Sequence, residues 1–155
     1  MGHPPTTTLV PSIEKLTLNI NLETHVEAPI EATFEALLEQ LGPGFNRPDG
    51  SAMPMKLEAR PGGRWFRDLG DDNGHFWANV QAIKRPTLLE FSRPLMLSHA
   101  VTHNVQYRLS EVKGGTLITF HHQALGFIPD DVRENMVKGW SHIQTEAARR
   151  AQAKR

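Results

Sequence analysis

The stretch DVRENMVKGWSHIQTEA, residues 131–147, carries apolar side chains at Val132, Met136, Trp140, Ile143 and Ala147. Steps of four, four, three and four residues put all five on one stripe of an α-helix. A stripe of about four turns has to be buried, so the rest of the chain must supply an apolar surface to receive it. Asp131 with Glu134 fits a capping box, in which the Asp131 carboxylate accepts orphan amide protons of the first turn. The helix is expected over residues 131–152. Gly139 stands inside it although glycine costs about 1 kcal/mol relative to alanine in a helix interior. Close approach of another backbone, or of a ligand, would account for that residue.

The receiving surface is read upstream. Leu16, Leu18, Ile20 and Leu22 alternate with Thr17, Asn19 and Asn21, the period of a half-buried strand. Pro29 suits a first helical position, and Ile30, Phe34, Leu37, Leu38 and Leu41 follow at helical spacing until Gly42 and Pro43 stop the helix. Residues 42–52 hold three glycines and two prolines and read as loop. Met55, Leu57 and Ala59 then alternate with charged neighbours, and Pro61-Gly62-Gly63 reverses the chain into residues 64–69. Asn73-Gly74 is expected at the centre of a hairpin turn, with positive φ at both positions.

Beyond that turn, Phe76, Ala78, Val80 and Ala82 share a face, and Pro86-Thr87 leads into residues 88–93. After a second loop, residues 94–102, Val105, Tyr107 and Leu109 share a face. Gly114-Gly115 turns the chain into residues 116–124, where Ile118, Phe120, His122 and Ala124 have one parity. Their proline and glycine content makes 42–52 and 94–102 the expected mobile parts. The order is strand, helix, six strands, helix. It predicts an α+β helix-grip fold: a curved seven-stranded antiparallel sheet around a long C-terminal helix, with an internal cavity.

Composition narrows the function classes. The chain has 155 residues, which suits one domain, and no cysteine, which removes disulfides, thiolate metal sites and a cysteine nucleophile. Seventeen basic residues balance seventeen acidic ones, so the charge surplus typical of nucleic-acid binders is missing. The basic cluster Arg149, Arg150, Lys154 and Arg155 reads as the complement of a helix C-terminal dipole. No run of eighteen apolar residues occurs, so no membrane span is expected. Residues 1–15 hold Pro4, Pro5 and Pro11 and no basic start followed by an apolar stretch. The expectation is a cytoplasmic protein with a flexible tail over 1–15 and a single domain over 16–155.

The stretch Leu22-Glu23-Thr24-His25-Val26-Glu27-Ala28-Pro29, followed by Phe34, resembles the opening strand and first helix of the SRPBCC superfamily. Arg60-Pro61-Gly62-Gly63-Arg64-Trp65 is similar to the Arg-x-Gly-Gly hairpin of one branch, the activator of heat-shock protein 90 ATPase homologues. Residues 80–91, ending Arg85-Pro86-Thr87-Leu88-Leu89-Glu90-Phe91, resemble that branch's hairpin between the fourth and fifth strands. Gly115-Thr116, Phe120-His121-His122 and Gly139-Trp140 resemble its last strand and grip helix. The likeness covers roughly residues 20–150 in unbroken motif order, and it departs at Arg93, where the family often has an aromatic. The resemblance implies the helix-grip fold with its cavity. It implies no single reaction, because the family's members include ligand carriers, aromatase or cyclase domains, self-sacrificing resistance proteins and a co-chaperone domain.

Catalytic fingerprints are missing: there is no Gly-x-Ser-x-Gly elbow, phosphate loop or dinucleotide motif, so no cofactor is expected. Adjacent His121 and His122 point to opposite faces of a strand. His99 and His103 have zinc-helix spacing but lack the intervening glutamate and run into a strand, and Asp71-Asp72-Asn73-Gly74 lacks the distant glutamate of a calcium loop. No metal site is expected. What remains is the grip interior, where Tyr107, Phe120, His122, Met136, Trp140 and Ile143 form the expected ligand-binding set. Met53, Met55 and Met136 could adapt its lining. His122 and Tyr107 are either core residues hydrogen-bonded to backbone or polar contacts of a ligand. Three functions follow from this reading: binding of an apolar or aromatic small molecule, a cyclase or lyase using His122 and Tyr107 as acid–base groups, and a co-chaperone-like domain with a protein partner.

Overall fold

In the computed structural model, which describes residues 2–5, 12–93, 95 and 97–154, the alternation near the N-terminus builds strand β1 (Thr17–Val26). Ile20 and Val26 are buried there, and the odd-numbered residues face solvent. Leu16 ends a short 3-10 turn, Ile13–Leu16, instead of starting the strand. The tail expected over 1–15 falls partly on residues 1 and 6–11, which lie outside the described residues. Helix α1 (Ile30–Leu41) follows with Pro29 as its N-cap, one position earlier than the sequence suggests. It buries Ile30, Phe34, Leu37 and Leu41, and Gly42 closes it by donating its N–H to the Leu38 and Glu39 carbonyls.

Six further strands complete one antiparallel sheet: β2 (Lys56–Leu57), β3 (Arg64–Gly70), β4 (Asn73–Lys84), β5 (Leu88–Ser92), β6 (Val101–Val112) and β7 (Gly115–Gly126). They run in the order β1-β7-β6-β5-β4-β3-β2, so the first strand pairs with the last and the rest form a meander. Register shifts at Trp65/Phe66, Asp68/Gly70 and Val80/Ala82 bend the sheet at one end. Helix α2 (Asp130–Ala153) packs against β1 and α1. It buries Met136, Trp140, Ile143 and Ala147 as expected, with Gln144 and Ala151 added. The predicted seven-stranded helix-grip fold is the observed one. No helix among the described residues is long and apolar enough to cross a membrane.

Local details differ from the sequence reading in five places. The β3–β4 turn is centred on Asp71 (φ 52°) and Asp72 (φ 59°), with Gly70 paired to Asn73, so Asn73-Gly74 lies inside β4. Side chains decide this register: Asp68 Oδ1 accepts the Gly70 N–H, and Asn73 Nδ2 donates to the Gly70 and Asp71 carbonyls. The capping box is not formed, because α2 starts at Asp130 behind Pro129 and has no side-chain cap; Asp130 and Asp131 simply sit in its first turn. Strand β2 is only two residues long. Strand β6 begins at Val101, which shortens the second expected loop; residues 94 and 96 of that loop lie outside the described residues. Arg150 is spent on tertiary contacts, donating Nε to Gln40 Oε1 and Nη2 to the Gly44 carbonyl; Arg155 lies outside the described residues.

The motif Arg60-Pro61-Gly62-Gly63-Arg64 has a steric explanation. Gly62 has φ +76°, and a Cβ at Gly63 would stand 1.8 Å from the Glu58 carbonyl oxygen. Glu58 closes the turn as a fork, accepting from Arg64 Nε at 2.8 Å and Nη2 at 3.0 Å, and from the Arg64 backbone N–H at 2.9 Å. Next to it, Trp65 enters the core fully buried, and its indole donates to the Leu41 carbonyl at 2.7 Å. That bond satisfies an orphan carbonyl at the end of α1 and ties the helix to β3.

Trp140 is 2% exposed and stacks among Phe120, Tyr107 and Trp65. Trp140→Ala should therefore cost about 3–5 kcal/mol in a urea titration, the usual loss on truncating a buried aromatic. A loss below about 1 kcal/mol would mean that α2 is not gripped through this residue.

Candidate functional site

The interior between sheet and α2 is filled at its centre by aromatic rings. Trp140 lies 4.8 Å from Phe120 and 6.4 Å from Tyr107, centroid to centroid, and Trp65 stacks on Phe91 at 4.8 Å. Strand parity places His122 as the sequence suggests, buried with Ile118 and Phe120, yet its partners are side chains and not backbone. The Trp140 indole Nε1 donates to His122 Nδ1 at 3.1 Å, and His122 Nε2 lies 2.9 Å from His103 Nδ1.

Donor and acceptor chemistry fixes the protons along this chain. An indole N–H can only donate, so His122 Nδ1 is unprotonated and the His122 proton resides on Nε2. That proton is given to His103 Nδ1, which leaves the His103 proton on Nε2. Both rings are neutral, and neither has a lone pair left for another proton. Burial lowers His103 to about 4. Burial, reinforced by His103 and His121, lowers His122 to about 3. The Tyr107 phenol is pushed well above its ordinary range by burial. His103 Nε2, the Tyr107 hydroxyl and Gln144 Nε2 are buried without a hydrogen-bond partner among the described residues. With both His122 nitrogens occupied and the Tyr107 proton tightly held, neither group is placed to move a proton to or from a bound molecule near neutral pH.

The concave space lies beside this cluster. A pocket of about 350 Å³ opens on the flank of α2, with Met136, Gly139, Trp140 and Ile143 on one wall and Phe45, Met53 and Leu97 facing them. This size and apolar lining fall in the range of small-molecule sites. Of the six residues expected at the site, the pocket takes Met136, Trp140 and Ile143; Tyr107, Phe120 and His122 stand behind Trp140 and do not border it. A larger depression, about 580 Å³, runs along the β3–β4 hairpin. Exposed charged groups such as Arg64, Asp71 and Asp72 border it, so a molecule there would remain largely in water.

Sequence reasoning left residues 42–52 as a mobile loop, but polar contacts pin this wall. Asn46 Oδ1 accepts from Gln40 Nε2 at 2.9 Å and from His142 Nε2 at 2.8 Å, while Asn46 Nδ2 reaches Glu146 at 3.4 Å. Phe45 and Asn46 carry no signal because a loop has no periodicity to read, and Gln40 is a polar residue on a helix whose apolar stripe alone reports burial. The sequence reading weighs His103 only with His99 as a metal pair, although its parity matches Val105, Tyr107 and Leu109. Among the described residues no three His, Cys, Asp or Glu side chains converge as metal ligands would.

A model of the family described as Activator of Hsp90 ATPase homolog 1-like protein matches residues 27–147. No curated protein matches the sequence. Among solved structures, Bacillus halodurans protein BH1534 is similar with a TM-score of 0.63 at 22% identity, covering 86% of this chain and 96% of that one. Ara h 8.0201 gives a TM-score of 0.62 at 14% identity, covering 88% and 99%. The di-domain ARO/CYC StfQ from the steffimycin biosynthetic pathway gives 0.62 at 13% identity, covering 91% of this chain but 51% of that one. At such identities the likeness shows the fold alone.

The neutral histidine pair fixes a pH dependence. Below the unfolded value of about 6.5 the unfolded chain binds protons that the native rings refuse, so stability falls with pH until the folded values near 4 and 3. Between pH 6 and 4.5 the His122 share should approach about 1.4 kcal/mol per pH unit. Urea midpoints should drop more steeply in the wild type than in His122→Gln over this range, with no difference in slope above pH 7.5. Superimposable profiles would place the ring in solvent.

Proposed function

The chain belongs to the Activator of Hsp90 ATPase homolog 1-like family, and from that premise we propose that it binds a small apolar or aromatic molecule in the pocket between α2 and residues 45–53. Gly139 is the observation that carries the reading. A glycine in mid-helix weakens the helix, and no steric need for one exists here: a Cβ at Gly139 would meet no heavy atom within 4 Å. The open space above it is the pocket itself. A helix that leaves this position bare keeps room for something other than its own side chains.

In this reading Met136, Trp140 and Ile143 touch the ligand from the helix side, and Phe45, Met53 and Leu97 from the other. Tyr107, Phe120 and His122 act indirectly, by fixing the orientation of Trp140. The thioether of Met136 gives one wall some adaptability. The acid–base alternative built on His122 and Tyr107 has no comparable support. The same reading keeps the protein in the cytoplasm, on the sequence alone.

Two substitutions at one position test the proposal. Gly139→Ala should raise stability by about 0.5–1 kcal/mol, since it removes the helix penalty without a clash. Gly139→Leu should fill the pocket. Native mass spectrometry of freshly purified wild type should show a retained small molecule, and the leucine variant should have lost it. Equal retention by both proteins would move the ligand elsewhere, and destabilisation by Gly139→Ala would contradict the open space.

A further inference from the structure

The pocket is lined mainly by apolar side chains, and its few polar groups are unequally committed. The Trp140 indole N–H is taken by His122, so the ring offers a bound molecule only its apolar face. The other polar residues of the lining are Asn46, Arg47, Asn135 and His142. Asn46 and His142 are spent on each other and on Gln40 and Glu146. That leaves Arg47 on the loop wall and Asn135 on the α2 wall, both exposed.

The Arg47 guanidinium makes two long contacts, Nη1 to Ser51 Oγ and to the Ala52 carbonyl, each at 3.4 Å. No carboxylate lies within ion-pair distance of it among the described residues. The nearest acidic group, Asp49, accepts instead from the Ser51 N–H at 2.8 Å and the Ser51 hydroxyl at 2.6 Å, and its charge acts on Arg47 only at longer range. The Asn135 side chain has no hydrogen-bond partner among the described residues. Two donors, one cationic and forked and the other a side-chain amide, thus border the same largely apolar pocket, one from the loop and one from α2.

Resting on the binding function above, we propose that the ligand is an amphipathic monocarboxylate, its hydrocarbon or aryl tail against Trp140 and its carboxylate held by Arg47 and Asn135. A planar carboxylate matches the guanidinium fork and leaves a lone pair for the Asn135 amide. A phosphate monoester dianion would find only one cation here. A neutral alcohol would leave the guanidinium without an anionic partner.

The test is calorimetric titration of the full chain with matched pairs: 4-phenylbutanoate against 4-phenylbutan-1-ol, and octanoate against octan-1-ol. The acid of each pair should bind about tenfold more tightly than its alcohol in low salt, the size of one charge-assisted contact at a rim. That advantage should shrink as salt is added. Arg47→Gln should bring acid and alcohol to parity, and Asn135→Ala should remove about threefold of the advantage. Both substitutions are at exposed positions, so folding is preserved. Acids and alcohols that bind equally, with affinities abolished by Gly139→Leu, would overturn the carboxylate assignment while leaving the binding function intact. Failure of all four probes to bind would overturn both.

Discussion

The indole N–H of Trp140 needs an acceptor in the middle of an apolar core, and His122 is that acceptor. A buried donor without a partner costs on the order of 1–3 kcal/mol, so this bond fixes both the azimuth of α2 and the tautomer of the imidazole beneath it. With Trp140 so held, Phe120 and Tyr107 close behind the ring and Trp65 packs in front of it. Trp65 in turn ties β3 to the C-terminal carbonyl of α1. One donor–acceptor pair thus sets the relative position of the sheet and both helices. The price is a pair of histidines that must stay neutral.

From that arrangement the pocket follows as a by-product of what α2 leaves uncovered. The helix turns its Met136, Trp140 and Ile143 stripe inward, and Gly139 beside it leaves part of that stripe bare. The chain between α1 and β2 folds over that side of the helix. Its grip on α2 is polar: Gln40, Asn46, His142 and Arg150 link both helices and the loop in one connected set of hydrogen bonds. Fully paired polar networks are rigid, which suits a wall that must keep its shape with or without an occupant.

The sheet and the grip were legible because periodicity reports burial. Ile118, Phe120 and His122 could be placed inside by parity, and Met136, Trp140 and Ile143 by helical spacing, with no three-dimensional information. What stayed hidden depends on side-chain chemistry at single positions. Asp68 and Asn73 move the hairpin turn onto Asp71-Asp72, against the stronger Asn-Gly signal. The loop wall depends on Asn46, whose partners lie 6, 96 and 100 residues away. Parity says that His122 is buried but not that His103 completes its hydrogen bonds. For the same reason parity could group Tyr107, Phe120 and His122 with Met136, Trp140 and Ile143, but not say that only the helix residues border the pocket beside Phe45 and Met53.

The pairing of β1 with β7 has a kinetic side. The meander from β3 to β7 needs only neighbouring strands to meet, whereas Thr17 finds Leu125 across more than a hundred residues of chain. Closing so long a loop lowers entropy before any contact repays it, so this pairing carries the largest closure cost of any in the sheet. Without β1, the β7 backbone between Gly115 and Gly126 would be an open edge, with the exposed Leu125 near its end and Phe127 just beyond it. By occupying that edge, β1 removes from the folded chain a row of unpaired backbone groups on which a strand of another chain could pair.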